Sequence, residues 1–271
     1  MIVRGKGLKE IKRKDATIVA ESHQLADVNA MGIKMKLLAI DSSGLVASVG
    51  IVTESDLIAE YTINYKKTHS QTLLPMIDAM ASMIELDINE IDGIAVAAGP
   101  GSFTGLRIGA STAKGLGLAL NKPIISVPTV DALGFNLYKT SDIICPIMDA
   151  RRNQVYTGLY EFKEDEYVTI APQMAVEITD IVSEVNKLGR SVIFLGDGVE
   201  VYKTVLEELL TVPFTFAPNH LLKQRAGALG TLGILYYKQG KVVNADEFEP
   251  IYLRLSQAER ELLEKQNGVT S

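Results

Sequence analysis

The stretch Gly99-Pro-Gly-Ser-Phe-Thr-Gly-Leu-Arg107, with its continuation to Asn121, limits what this chain can fold into more than any other. The apolar run Ile94–Ala98 precedes it and reads as a buried strand. Gly99, Pro100 and Gly101 then break that strand into a tight turn. Ser102 or Thr104 is placed to cap a following helix by accepting from an orphan N–H of its first turn. Within that helix Gly105, Gly109, Ala113 and Gly117 recur four apart and share one face. Each glycine there costs about 1 kcal/mol of helix propensity relative to alanine. Close approach of another backbone is the natural compensation. The turn itself supports two readings: an anion cradle of backbone N–H groups at a helix N-terminus, or a tight corner made for packing. Without a P-loop lysine, glycines alone do not choose between them.

The chain has 271 residues, 47% hydrophobic and 22% charged, as in an ordinary globular protein of one or two domains. Its formal charge of −6 argues against unaided binding of nucleic acid. The sole cysteine, Cys145, lies in the apolar run Ile143–Ile147, which rules out an internal disulfide framework and suits a small core residue. No run approaches the roughly 18–20 apolar residues of a membrane span. No signal peptide is visible, so a cytoplasmic protein is expected.

Residues 1–34 differ in composition from the rest of the chain. Arg4, Lys6, Lys9, Lys12, Arg13 and Lys14 face only Glu10 among the first fourteen positions. Residues 1–34 hold seven of the 27 Lys/Arg and four of the 33 Asp/Glu, leaving 20 against 29, a formal charge of −9. Met35 directly precedes a clean strand, so 1–34 reads as a leader outside the fold. Strands are expected at 37–40, 46–52 and 57–64, a helix at 70–84, the 94–98 strand, the glycine-rich helix, a strand at 124–127 and a helix from Pro128-Thr129 to about 138. The order is βββαβαβα. The second half resumes with strands at 143–148 and 154–162, a helix at 178–188, a strand at 192–195, a helix from Gly198 to 210, a strand at 214–216 and a helix at 221–237. Asp41 and Asp149 end the first strands of the halves, and Gly50 and Gly158 lie in the second strands, both pairs 108 residues apart. Two similar α/β domains, 35–140 and 141–262, with a cleft between them and a flexible tail at 263–271, are expected.

Chemistry-bearing residues are few. Asp41-Ser42-Ser43 ends a strand, either as an Asx-type turn or facing a phosphate. Gly196-Asp197-Gly198 either turns the chain or passes close to a nucleotide. Together with Gly99 and Gly101 these are the candidate phosphate-facing positions. His23, His69 and His220 show no i, i+3 or i, i+4 spacing, so no helix-borne metal site can be written, and none is expected. No G-x-S-x-G elbow is present. Asp149-Ala150-Arg151 suits an ion pair or partner contact better than catalysis. Tyr252 and Arg254, in Pro250–Glu259, read as a closing segment.

Taken together, Leu38-Ala-Ile-Asp-Ser-Ser43, His69-Ser-Gln-Thr-Leu-Leu-Pro75, Gly99–Gly109, Met148-Asp-Ala-Arg151, Gly196-Asp-Gly198 and Ile251-Tyr-Leu-Arg254 resemble the bacterial TsaB (YeaZ) family over about 35–262. The resemblance implies an α/β fold of two similar actin-like (ASKHA, ribonuclease H-like) domains, each a mixed five-stranded sheet with helices. It implies a non-catalytic subunit of the machinery that puts threonylcarbamoyl on N6 of adenosine 37 in tRNAs reading codons that start with A. Its partners would be a paralogous, metal-holding TsaD-like subunit and a TsaE-like ATPase, with tRNA met only through the complex and a homodimer in isolation. No catalytic residue and no cofactor of its own is implied; weak ATP or ADP binding in the cleft or at the complex interface stays open. Catalytic relatives carry His-x-x-x-His on a helix, where this chain has His69-Ser-Gln-Thr-Leu73. The other readings are an actin-fold ATPase or kinase using Asp41 and Gly196–Gly198, and a glycoprotease-like metallopeptidase, which the histidine count opposes.

The helices at about 70–84 and 104–120 are the expected partner surface, through Leu73, Leu74, Ile77 and Met80 beside the ridge Gly105, Gly109, Ala113 and Gly117. The alternative is that the ridge packs inward on the chain's own sheet and the opposite face looks out. A chain beginning at Met35 is expected to melt at the same temperature as the full chain and to bind its partner equally well; loss of either would make 1–34 part of the fold.

Overall fold

The computed structural model describes residues 35–65 and 68–254; the expected leader 1–34 and tail 263–271 lie outside the described residues. The first half runs β1 (Lys36–Asp41), β2 (Ala47–Thr53), β3 (Leu57–Ile63), α1 (His69–Met83), β4 (Gly93–Gly99), α2 (Phe103–Leu120), β5 (Ile124–Pro128) and α3 (Thr129–Phe135). The second runs β6 (Ile143–Asp149), β7 (Gln154–Lys163), β8 (Glu166–Glu177), α4 (Ile178–Leu188), β9 (Val192–Leu195), α5 (Gly198–Leu209), β10 (Phe214–Phe216) and α6 (Ala226–Lys238).

The halves have the same topology. The sheet orders are β3-β2-β1-β4-β5 and β8-β7-β6-β9-β10, each with an antiparallel meander and two parallel crossovers. This is the two-domain actin-like α/β architecture. The sequence reading omits β8. Its segment carries Pro172 and mixes polar with apolar residues, a pattern that a sheet interior would reject but an edge strand tolerates.

Strand alternation sorts the core. Leu38, Ile40, Ile94, Val96 and Ala98 face α1 and α2, where Leu73, Met76, Ile77, Met80, Ala110 and Ala113 meet them. Leu37, Ala39, Ala95 and Ala97 face the other way, against Ala226, Leu229, Leu232 and Ile234 of α6. The last described helix, α6, crosses the expected 140/141 boundary to return to the first sheet. Conversely, Val130 and Leu133 of α3 pack with Ile144, Met148, Tyr160 and Leu195 of the second sheet. α3 thus bridges the two sheets, its Ala132 and Phe135 packing with the first.

Polar contacts fix this exchange. The N-terminus of α6 is held on the first sheet by Ser48 Oγ, accepting from Ala226 N at 2.9 Å, and by Glu60 Oε1, accepting from Gly227 N at 3.0 Å. Arg225 pairs with the same Glu60, so a buried carboxylate meets both a guanidinium and a helix N-terminus. At α3, Tyr160 Oη donates to Asp131 Oδ1 at 2.6 Å, Tyr236 Oη to Oδ2 at 3.3 Å, and Tyr167 Oη to the Asp131 carbonyl at 3.1 Å. Burial pushes the Asp131 carboxyl and the Tyr160 hydroxyl up.

The small ridge of α2 faces inward. Gly105, Gly109, Ala113 and Gly117 are buried. A Cβ at Gly105 would strike the Ser42 carbonyl, one at Gly109 would lie 2.5 Å from Ser42 Oγ, and one at Gly117 would lie 2.8 Å from Ala245 Cβ. These four residues are therefore corrected from partner contacts to self-packing, as are Ile77 and Met80, which lie in the core. Gly115, on the opposite side, has nothing within 4 Å of a Cβ. Gly105→Ala is expected to destabilise by about 1–3 kcal/mol, because a backbone carbonyl cannot swing aside, and Gly115→Ala to stabilise by about 0.4–1 kcal/mol. Chemical denaturation of both variants reads the contrast; equal or reversed effects would contradict the inward packing.

Candidate functional site

Two cavities adjoin the glycine-rich turn. The first, about 410 Å³, lies between the domains and is lined by Ser43, His69, Gly101, Asp149, Asp197 and the segment Ile251–Arg254, among others. The second, about 470 Å³, is a groove between α1 and α2 lined by Leu73, Leu74, Phe103, Arg107 and Ile108 with polar neighbours. His69 and Phe103 line both.

The cleft is built twice over by one local device. Asp41 ends β1 and its Oδ1 accepts from Ser43 N at 2.9 Å; Asp149 ends β6 and its Oδ1 accepts from Arg151 N at 2.9 Å. Both are Asx-type turns, and the 108-residue offset seen in the sequence is thus a repeat of geometry. Gly99 and Gly196 follow the fourth strand of each half at φ +115° and +105°. Asp149 N donates to Asp197 Oδ1 at 3.1 Å, joining the two turns of the second domain. Burial pushes the Asp197 carboxyl up.

Of the seven residues read as phosphate-facing, the structure brings Ser43 and Gly101 to the cleft surface. Asp41 and Ser42 are 1% and 2% exposed. The Asp41 carboxylate accepts from both the backbone and the hydroxyl of Ser43, and burial outweighs those bonds to push its carboxyl up. Ser42 Oγ donates to the Gly105 carbonyl at 2.8 Å. The glycines are consumed by self-contact: a Cβ at Gly99 would strike the Ile251 carbonyl, at Gly101 the Ser43 carbonyl, and at Gly196 the Ile147 carbonyl, while at Gly198 it would lie 2.9 Å from that same Ile147 oxygen. Asp41, Ser42, Ser43 and the four glycines are thus packed closely against the chain itself. Ser102 caps α2 by accepting from Gly105 N at 3.3 Å, which resolves the choice with Thr104.

His69, Asp149 and Asp197 share the lining of the cleft. His69 Nε2 lies 2.8 Å from the Gly44 carbonyl and donates its proton to it. No group of three or more His, Cys, Asp or Glu side chains among the described residues is arranged to hold a metal ion. Cys145 is buried, and its thiol is pushed up to about 12 by that burial, so it is not a nucleophile. Arg151 and Asp149 form an exposed ion pair, 3.4 Å apart.

The groove is where sequence reasoning is incomplete. Leu74 is 55% exposed there and Leu73 forms its buried floor. Sequence reasoning misses Phe103, Arg107 and Ile108, although they fall on the helical face opposite the small ridge and that spacing is visible in the chain. The Arg107 guanidinium sits 4.1 Å from the Phe103 ring centroid. Tyr252 stacks on the same ring at 4.6 Å.

Comparison with known proteins agrees with this architecture. A family model described as "TsaD: tRNA N6-adenosine threonylcarbamoyltransferase" matches residues 56–262. The tRNA threonylcarbamoyladenosine biosynthesis protein TsaB of Bacillus subtilis is 33% identical over 232 residues, 86% of this chain and all of that protein. Its namesake in Escherichia coli is 27% identical over 231 residues, 84% of this chain and 98% of that protein. The solved structure of YeaZ from Pseudomonas aeruginosa superposes with a TM-score of 0.70 at 25% identity, over 81% of this chain and all of that one. On its full-length similarity to these relatives, the chain belongs to the TsaB (YeaZ) family.

Proposed function

We propose that this chain is a non-catalytic supporting subunit in threonylcarbamoyladenosine biosynthesis, acting in the cytoplasm on N6 of adenosine 37 in tRNAs reading codons that start with A. Its task is to bind and support a TsaD-type catalytic subunit; a TsaE-type ATPase joins the pair, and tRNA is met only through the assembly. The curated relatives, named for this biosynthesis, support the pathway. The observation that carries the supporting role is the apolar groove between α1 and α2, which is open at Leu74, Phe103 and Ile108 while the small ridge beneath it is spent on self-packing. Paired helices that show an apolar stripe flanked by Thr104, Arg107 and Ser111 suit a helical partner. The same face would close a homodimer of the free chain, so the two assemblies compete.

An ATPase or kinase reading has less support. All four of its glycine candidates pack against the chain's own carbonyls, and weak ATP or ADP binding is left to the cleft or to the complex interface. A metallopeptidase reading needs a ligand pair, and Leu73 stands where the catalytic relatives have their second histidine.

Leu74→Arg and Ile108→Arg are expected to fold normally and to weaken binding to the TsaD-type subunit at least tenfold. Each places an unpaired charge in an apolar contact. Size exclusion with light scattering reads the complex and circular dichroism the fold. Val201→Arg, on an exposed face of α5, serves as the control. Folded groove variants with unchanged affinity would move the interface elsewhere.

A further inference from the structure

A third cavity, of about 610 Å³, lies at the seam of the two sheets and shares no lining residue with the cleft or the groove. Three elements wall it. α3 contributes Asp131, the β7–β8 hairpin Glu164, Glu166 and Tyr167, and α6 with the turn after it Tyr236 and Lys241. The hairpin is fastened over α3: Lys139, just beyond that helix, pairs with Asp165, and Tyr167 packs edge-on against Phe135 at 5.2 Å. Asp131 is half-buried at the floor, where its carboxylate accepts from Tyr160 Oη and from Tyr236 Oη. Glu164 and Glu166 are exposed at the rim. Negative charge therefore stands at two depths, the inner one beside the rings of Tyr167 and Tyr236.

The chain itself shows what this wall attracts. The Lys241 ammonium stands 4.7 Å from the centroid of the Tyr236 ring, and its charge favours the ionised form of Asp131. An alkylammonium group thus already lies on the aromatic face of the cavity, held by the ring quadrupole and a nearby carboxylate. Lys241 is exposed and sits at the end of a flexible four-carbon stem, so a second ammonium can take its place. Burial pushes the Asp131 carboxyl up, a cost that a closer cation relieves. On the lining, Asp131, Glu164, Asp165 and Glu166 stand against Lys163 and Lys241, four carboxylates to two ammonium groups, which disfavours an anionic ligand.

We propose that this cavity binds a small aliphatic polyamine, with one ammonium replacing Lys241 between the Tyr236 ring and Asp131 and another meeting Glu164 and Glu166 at the rim. The methylenes between them would cover Leu235, which is 42% exposed and lines the same cavity. A compact divalent ion fits less well, because it cannot reach both depths at once and the described carboxylates form no metal-holding group. Cavities at a seam between domains are common ligand sites. An occupant here would brace α3 and α6 against the hairpin and stabilise the fold by mass action. The site stands apart from the groove and does not depend on the partner reading.

Isothermal titration calorimetry of the free full-length chain with spermidine, at low ionic strength, tests the site. One spermidine per chain is expected, and magnesium at the same ionic strength is expected not to displace it. Glu164→Gln combined with Glu166→Gln, on an exposed turn, is expected to weaken binding about tenfold. Lys241→Ala is expected to tighten it severalfold, because the competing ammonium is gone. Lys203→Ala makes the same change of net charge on an exposed face of α5 and is expected to leave affinity unchanged. Circular dichroism checks each fold; should the rim variant not fold, the two lysine variants decide. Failure to saturate at one spermidine per chain, displacement by magnesium, parent affinity in a folded rim variant, or equal effects of Lys241→Ala and Lys203→Ala would each overturn the proposal.

Discussion

Backbone meeting backbone at the start of α2 is the contact on which the rest of this molecule depends. The helix can lie against the Asp41–Ser43 turn only because Gly101 and Gly105 carry no side chain where the Ser43 and Ser42 carbonyls pass. Ser102 N donates to the Ser43 carbonyl at 2.7 Å and Ser42 Oγ to the Gly105 carbonyl at 2.8 Å, so these buried polar groups are satisfied by each other. The weak helix propensity of the glycines is offset by that packing. One consequence is functional. The inner face of α2 is taken up by self-packing, and its outer face borders the groove with α1.

The duplicated topology gives the second constraint. α6 packs on the first sheet and α3 bridges both, so the two halves share their cores. Glu60 illustrates the economy of this arrangement. One buried carboxylate on an edge strand of the first sheet accepts from the N-terminus of α6 and pairs with Arg225, which joins chain segments about 165 residues apart. Such an exchange holds the base of the cleft.

Much of this was legible from spacing alone. Apolar runs bounded by turn residues locate nine of the ten described strands, and the four-residue recurrence of small residues locates the buried side of α2. The direction of that side was not legible, because a flat ridge suits a partner helix and a sheet equally; only the Ser42 carbonyl decides it. By the same rotation Phe103, Arg107 and Ile108 must face outward, a deduction available once the ridge is known to face in. The return of α6 to the first sheet was hidden because periodicity reports that a face is buried and not which sheet buries it. The seating of Ile251 against Gly99 was hidden for a similar reason: so short a segment has no periodicity, and its neighbour lies some 150 positions earlier in the chain.

The central claim is that this chain supports tRNA modification without performing it. A reconstituted reaction tests this most directly: TsaD-type and TsaE-type subunits, the adenylate-forming synthase, threonine, bicarbonate, ATP and unmodified tRNA, with tRNA nucleosides read by mass spectrometry. The account predicts threonylcarbamoyladenosine when this chain is added, little without it, and none when this chain replaces the TsaD-type subunit. Equal product without the chain, or product from the chain in place of that subunit, would contradict it.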